Sequence, residues 1–258
     1  MGAVRDIFRS LDEHDAVRAA NAIAFDVFLS SAPLAAFTGW AVHKLLRSNA
    51  TVLGPIVELA PRPLAHLADR ELMRLSEQGA SVVPPLSLIA FVYLSTEGAA
   101  TAMKIFERIF GARPRSWLTR RFVALVFVLA GVLGVAASGL LLVLGTWLGG
   151  AAGNALSIGV TLSTMWLLVA GFFRVATLRR EGQSRAGFRG ALVTLGLWIA
   201  VSSTFSTYVR EIANYSRFYG SLATVVVVLV WLWLMCLSLI IGAEVNARIE
   251  GVRAAAKA

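Results

Sequence analysis

Long uncharged segments alternate with short segments rich in arginine and lysine along the chain. Uncharged runs include residues 78–96, 122–173, 190–209 and 221–243. A helix needs about 20 mainly apolar residues to cross a hydrocarbon core of roughly 30 Å, and the second run is long enough for two such helices. This pattern is typical of a polytopic membrane protein rather than of a water-soluble domain.

The apolar runs predict an all-α fold, a single transmembrane domain of about six spans. The predicted spans cover residues 19–42, 83–103, 122–147, 155–176, 188–209 and 221–246, with tails at 1–18 and 248–258. The first tail is too rich in charge for a cleaved signal peptide, so we expect the first span to remain in the protein. The glycine-rich stretch 145–153 predicts a tight turn between the third and fourth spans.

About 40 residues separate the first two predicted spans and contain no further span. After two prolines, apolar side chains recur at helical spacing between charged ones, at Leu64, Leu67, Ala68, Leu72 and Leu75. This stripe predicts a short amphipathic helix on the periplasmic surface of the membrane. An ordinary surface helix packed on the bundle is the alternative.

The basic residues indicate how the chain is oriented. Lysine and arginine number 24 and the formal net charge is +9. Most of them, 17, lie in the two tails and in the second and fourth loops, so the positive-inside rule predicts cytoplasmic termini in a bacterial inner membrane. We therefore interpret the positive charge as a topology signal and a contact with anionic membrane lipids, and we expect no nucleic-acid partner.

Four ionisable residues within or at the ends of the spans form a candidate site. An ionisable group inside a span is expensive and often functional. We expect Asp26 and Glu97 to face the bundle interior, with Arg174 or Lys104 as counter-charges, in a polar cluster open to the cytoplasm. Such a cluster could bind an anionic head group, a cation or a proton. For Lys104 and Arg174 the favoured alternative is an interfacial anchor whose long side chain reaches the head groups.

The C-terminal third carries a motif found in a known family. Residues 218–225 read FYGSLATV, residues 229–234 read LVWLWL, and residues 241–247 read IGAEVNA. This pattern resembles the signature of the YihY/virulence factor BrkB family, and the resemblance extends over nearly the whole chain. It implies six spans, cytoplasmic termini and an inner-membrane location. Its motif residues here are Tyr219, Gly220, Gly242, Glu244 and Asn246.

The motif near the end of the last span has two interpretations. Gly242 would permit close helix packing, while Glu244 and Asn246 would bond to donors of a neighbouring helix, and we place this role slightly ahead of ligand binding. Asp26 stands where the family usually has an aromatic residue.

The residue types argue against an enzyme. Three scattered histidines and a single cysteine, Cys236, give no spacing for a metal site, so we expect no metal, cofactor or catalytic residue, and the old ribonuclease label of the family has no residues to support it. Roles in envelope integrity and lipid export have been suggested for members of the family. Our first hypothesis is a translocator of a lipid or another amphipathic or anionic substrate. The alternatives are a non-transporting membrane scaffold for envelope integrity and, as a weaker third, a membrane-embedded enzyme.

Overall fold

Six α-helices account for almost all of the residues that the computed structural model describes, which are 11, 14–48, 83–148, 150–176, 187–212 and 216–249. In chain order they are α1 Ala16–Ser48, α2 Val83–Ile109, α3 Trp117–Leu148, α4 Gly150–Val175, α5 Phe188–Ile212 and α6 Ser216–Ile249. These described ranges contain no β-strand, and the all-α prediction is confirmed.

Each of the six helices is long and apolar enough to cross a membrane. The qualifying segments are Ala16–Ala41, Pro85–Ile109, Trp117–Leu141, Ala155–Val175, Phe188–Tyr208 and Val225–Ile249. The longest helices, α1 and α6, have 33 and 34 residues. At 1.5 Å per residue each is about 50 Å long, well beyond a hydrocarbon core of roughly 30 Å, so their outer turns have length to spare for the head-group region.

The chain reverses between α3 and α4 within the predicted turn at 145–153, but the two helices extend further into it than predicted. α3 continues to Leu148 and α4 begins at Gly150, and the Ser157 hydroxyl of α4 donates to the Leu141 carbonyl of α3 at 3.2 Å. Glycines of this stretch continue the helices because glycine disfavours a helix only modestly. The predicted amphipathic helix after the first span lies outside the described residues, as does most of both predicted tails.

The chain divides into two compact units. One consists of Met1–Val27 and Thr96–Ala258, and the other is Phe28–Ser95. Within the second unit, the Ser95 hydroxyl donates a 2.6 Å hydrogen bond to the Phe91 carbonyl, and the Lys44 ammonium lies 5.0 Å from the centre of the Trp40 ring. The first unit holds the candidate site.

The buried core of the first unit lies towards one end of its helices, where α1, α3 and α5 begin and α2, α4 and α6 end. We call this the core end. Its most deeply buried apolar side chains are Ala16, Ala20, Met103, Phe106, Phe110, Ala124, Phe173, Ala176, Ala191, Ile240, Ala243 and Ala247. Aromatic edge-to-face contacts join three helices there, with centroid distances of 5.2 Å for Phe106–Phe173 and 5.0 Å for Phe127–Phe172.

Large apolar side chains further along the same helices are exposed, as lipid-facing residues are. Leu133 and Val135 of α3 and Leu156 and Ile158 of α4 are each more than half exposed. Hydrocarbon around the bundle removes the penalty that water would impose on these surfaces. The exposed apolar faces and the localised core together fit a bundle embedded in lipid.

A glycine ends α2 and sets up the connection to α3. Gly111 has a positive φ of 58°, a conformation that glycine adopts without strain. The Ala112 N–H donates to the Glu107 carbonyl at 2.8 Å, and the Gly111 N–H donates to the Arg108 carbonyl at 3.2 Å. These two bonds form a Schellman motif, which satisfies the last carbonyls of the helix, and the chain reverses into α3 within a few residues.

Candidate functional site

Three charged side chains from three successive helices come together inside the spans. They are Asp26 of α1, Glu97 of α2 and Arg121 of α3, and we call them the ion triad. The Arg121 guanidinium donates to Glu97 Oε2 at 2.5 Å and to the Thr96 hydroxyl at 2.9 Å. It also lies 5.8 Å from the centre of the Trp117 ring, one turn earlier on α3. The Arg121 and Glu97 side chains are 17% and 38% exposed, so the pair is screened from its surroundings on most sides.

Asp26 reaches the triad across a close approach of α1 to α2. A Cβ built on Gly98 would lie 3.2 Å from the Asp26 Cβ, so glycine at this position leaves room for the aspartate. The half-buried Asp26 carboxylate interacts electrostatically with that of Glu97. Among the described residues, no lysine, arginine or histidine nitrogen lies within 4.0 Å of its oxygens. The triad therefore contains two carboxylates and one guanidinium.

The two basic residues predicted to balance these carboxylates lie elsewhere. Lys104 and Arg174 are exposed, and neither forms an ion pair with another residue in the described ranges. Lys104 follows Glu97 by seven residues, about 10 Å along α2, so it lies closer to the helix end. Arg121 is the counter-charge of Glu97 instead, because the short connection after α2 brings the first turns of α3 back alongside it.

A second ion pair, which the sequence did not single out, lies at the core end. Arg120 Nη2 donates to Glu107 Oε2 at 2.8 Å, and the two side chains are 13% and 6% exposed. The same guanidinium donates to the Arg115 carbonyl at 3.2 Å, while the Arg115 N–H donates to Glu107 Oε1 at 3.3 Å. The Arg115 guanidinium in turn donates to the Val175 carbonyl at the end of α4. These contacts tie α2, α3 and α4 together.

Arg115 stays charged in this network despite its environment. Burial lowers the pKa of the Arg115 guanidinium from its usual range, and the neighbouring Arg120 charge adds to this effect, whereas the Glu107 carboxylate opposes it. Arginine is not deprotonated in proteins near neutral pH, so the side chain keeps its charge and holds the α4 carbonyl.

Gly242 and Asn246, from the C-terminal motif, meet α5 at a close helix crossing. A Cβ on Gly242 would lie 1.9 Å from the Thr194 hydroxyl oxygen and 2.8 Å from the Gly190 carbonyl oxygen. Asn246 Oδ1 accepts a 3.1 Å hydrogen bond from the buried Gly190 N–H. Thr194 Oγ1 donates to the Gly190 carbonyl at 3.0 Å. This is the contact that the packing interpretation of the motif predicts.

Glu244, between these two motif residues, is a fully buried carboxyl. Its side chain is 0% exposed, and its Oε2 lies 3.7 Å from His14 Nδ1, an ion pair whenever the imidazole is protonated. His14 lies two residues before the start of α1, so this contact joins the beginning of the first helix to the end of the last. Tyr219 and Gly220 belong to α6, but their burial and contacts lie outside the described part of the structure.

Comparison with protein-family models gives a clear match. The model of the family described as virulence factor BrkB matches residues 7–258. The chain belongs to the virulence factor BrkB family. The resemblance inferred from the C-terminal motif is confirmed.

Several bacterial proteins resemble this BrkB-family chain. The ribonuclease-like protein YfkH of Bacillus subtilis is 24% identical over 260 residues, which cover 96% of this chain and 94% of YfkH. A UPF0761 membrane protein of Laribacter hongkongensis is 33% identical over 179 residues, 64% of this chain and 40% of that protein. Another, from Aeromonas salmonicida, is 38% identical over 60 residues, 23% and 21% of the two chains. No solved structure matches.

Family membership and the six apolar helices establish a membrane protein. The matches to the two UPF0761 proteins span less than half of either relative, and the word ribonuclease-like belongs to the name of YfkH alone. Within the described ranges no three histidine, cysteine, aspartate or glutamate side chains are grouped so as to hold a metal ion. The described chemistry is that of charged and polar groups enclosed by membrane helices.

Proposed function

We propose that this BrkB-family protein is a translocator of the bacterial inner membrane that moves a lipid or another anionic amphipath, and that it is not an enzyme. The observation that carries the proposal is the ion triad, which places Asp26, Glu97 and Arg121 within three membrane-spanning helices. Ionisable residues at such depth are costly and tend to mark the pathways of substrates or ions.

The orientation expected from the sequence gives the core end a role in substrate capture. With cytoplasmic termini, the core end faces the cytoplasm. Among the described residues, its exposed basic side chains are Arg18, Lys104, Arg108, Arg113, Arg174 and Arg189. Each lysine or arginine near a membrane surface contributes about 1 kcal/mol of attraction to anionic lipid, so we expect these residues to concentrate an anionic amphipath in the inner leaflet.

The ion triad would have a different task from the basic residues. With all three members ionised it carries one net negative charge, which suits a cation or a proton better than an anionic head group. Since the sequence has no ATP-binding motif, we infer that the triad couples substrate movement to an ion gradient.

The proposal can be tested by lipid flux in reconstituted vesicles. Purified protein is incorporated into liposomes containing fluorescent phosphatidylglycerol, and transfer between leaflets is followed by chemical quenching of the outer leaflet. We expect the wild-type protein to accelerate transfer over protein-free liposomes, and Asp26→Asn and Glu97→Gln to reduce that acceleration about tenfold. Asp15→Asn, an exposed carboxylate outside the span, is the matched control and should retain the wild-type rate. Unchanged flux in both triad variants would remove the triad from any pathway.

A scaffold without transport is the second candidate, and the buried network around Glu107 favours it. That network and the close crossing at Gly242 fix five helices at the core end, as a rigid platform for partner proteins requires. A scaffold gives no lipid transfer, so liposomes with the wild-type protein should behave like protein-free liposomes. Variants that loosen the core end should then make cells more sensitive to detergent.

A further inference from the structure

The single positive charge of the ion triad, on Arg121, is bound to only one of its two carboxylates, that of Glu97. Arg121 makes two hydrogen bonds to adjacent residues of α2, one to Thr96 and one to Glu97, and the Trp117 ring flanks it on its own helix. A hydrogen bond between two ionised groups is about twice as strong as one between neutral groups. These contacts hold the guanidinium on the α2 side, where it neutralises Glu97.

Asp26 does not share in this neutralisation. On α1 itself there is no other charged residue between Arg18 and Lys44. Among the described residues, the charged group that acts on Asp26 is Glu97 of α2, to which Arg121 of α3 is bound. The nearest charge is therefore negative, and the one positive charge of the triad is already bound.

Charge balance in a membrane decides what state this arrangement adopts. An isolated carboxylate inside an apolar medium costs many kilocalories per mole, and such a group takes up a proton instead. Two carboxylates that share a site likewise resist simultaneous ionisation. A proton on Asp26 gives the triad one anion, one cation and one neutral acid, so its net charge is zero.

We propose that Asp26 is the proton-exchanging residue of this protein, while Glu97 remains ionised and bound to Arg121. Uptake forms an O–H bond between a proton from water and an Asp26 carboxylate oxygen, and release returns that proton to water, with no other bond made or broken. The inference rests on the proposed function only in how the proton is used, which is to couple substrate movement to a proton gradient.

Infrared spectroscopy of the protein in lipid nanodiscs tests the proton site without any transport. Exposed aspartate and glutamate are ionised at neutral pH, since their ordinary pKa values are about 4, so absorption by a protonated carboxyl at pH 7 reports an enclosed acid. We expect such absorption in the wild-type protein, with one component lost in Asp26→Asn and kept in the control Asp15→Asn. Spectra that are identical for wild type and Asp26→Asn would overturn the assignment.

The Glu97→Gln variant tests the division of roles within the triad. Removing the Glu97 charge leaves Arg121 without its anionic partner, and the guanidinium can then pair with Asp26. We expect the Asp26 component to disappear from the spectrum at pH 7 although Asp26 is still present. If the component persists in Glu97→Gln, Arg121 does not govern the protonation of Asp26, and the proposed division is wrong. Size-exclusion profiles and helical circular dichroism verify that each variant is folded.

Flux and infrared measurements together separate the two proposals. In liposomes, an imposed proton gradient should accelerate lipid transfer by the wild-type protein about tenfold. The same gradient should not change the rate of lipid transfer by Asp26→Asn. If the Asp26 carboxyl band is present but no lipid is transferred, the proton site is supported and the proposal of translocation is wrong. If lipid is transferred but the Asp26 band is absent, translocation is supported and the proton site is wrong.

Discussion

Single charged residues at the core end contribute to the stability of the fold as well as to its orientation in the membrane. Glu107 and Arg120 are almost fully buried and form an ion pair of 2.8 Å, and removal of one partner leaves the other as an uncompensated buried charge. We therefore expect Glu107→Gln to destabilise the protein by about 3 kcal/mol, the lower end of the cost of breaking a buried pair. The measurement is the free energy of unfolding in detergent micelles by denaturant titration.

The neighbouring Arg108 provides the matched control for this loss. It is exposed, and we expect Arg108→Gln to change stability by no more than about 0.5 kcal/mol, as most surface substitutions do. The double variant Glu107→Leu/Arg120→Met should recover much of the loss, since an apolar pair of similar size avoids the desolvation of both charges. Equal stabilities for wild type and Glu107→Gln would show that the pair contributes nothing to the fold.

The sequence revealed two of the three members of the ion triad but not which of them form an ion pair. Asp26 and Glu97 stood out because each interrupts an apolar run, whereas Arg121 was counted among the basic residues of a loop. Glu107 was passed over because it lies in a segment dense with arginine. Which basic residue meets which acid depends on the rotation of each helix about its axis and on the exact connection between helices, and neither follows from hydropathy alone.

At the scale of helices, hydropathy was a good guide because length and apolar content are what a membrane selects. Every predicted span falls almost entirely within one observed helix. The helices on either side of the predicted turn at 145–153 extend further into it than expected, because glycine disfavours a helix only modestly. Among the contacts between helices, the crossing of α5 and α6 is the one most sensitive to the addition of a single atom. At Gly242 the space for a side chain is already occupied by Thr194 and by the backbone of α5.

Gly242→Ala should therefore separate α5 from α6. The added methyl group would overlap the Thr194 hydroxyl and the Gly190 carbonyl, and it would weaken the bond from the Gly190 N–H to Asn246. We expect a loss of about 3 kcal/mol and a Tm lower by roughly 5–10 °C, measured by thermal denaturation in detergent. Gly196→Ala on α5 is the control, because a Cβ there meets nothing within 4 Å, and its Tm should equal or exceed that of the wild type. A Gly242→Ala protein as stable as wild type would mean that the helices part at no cost.

For the whole molecule, the orientation in the membrane determines the side from which the ion triad and the basic residues of the core end are reached. The single native cysteine, Cys236, is 9% exposed, and a buried thiol reacts poorly, so introduced cysteines can be labelled over a low background. Arg113→Cys lies in the exposed connection between α2 and α3 at the core end. Ser76→Cys lies in the segment that the sequence predicts to be periplasmic.

We expect a membrane-impermeant maleimide to label Ser76→Cys in intact spheroplasts and Arg113→Cys only in inverted vesicles. The physical reason is the imbalance of lysine and arginine between the two sides, which opposes translocation of the arginine-rich connections. The wild-type chain gives the background at Cys236. Labelling of Arg113→Cys in intact spheroplasts would place the core end outside the cell, and proton coupling through Asp26 would then have to operate in the opposite direction.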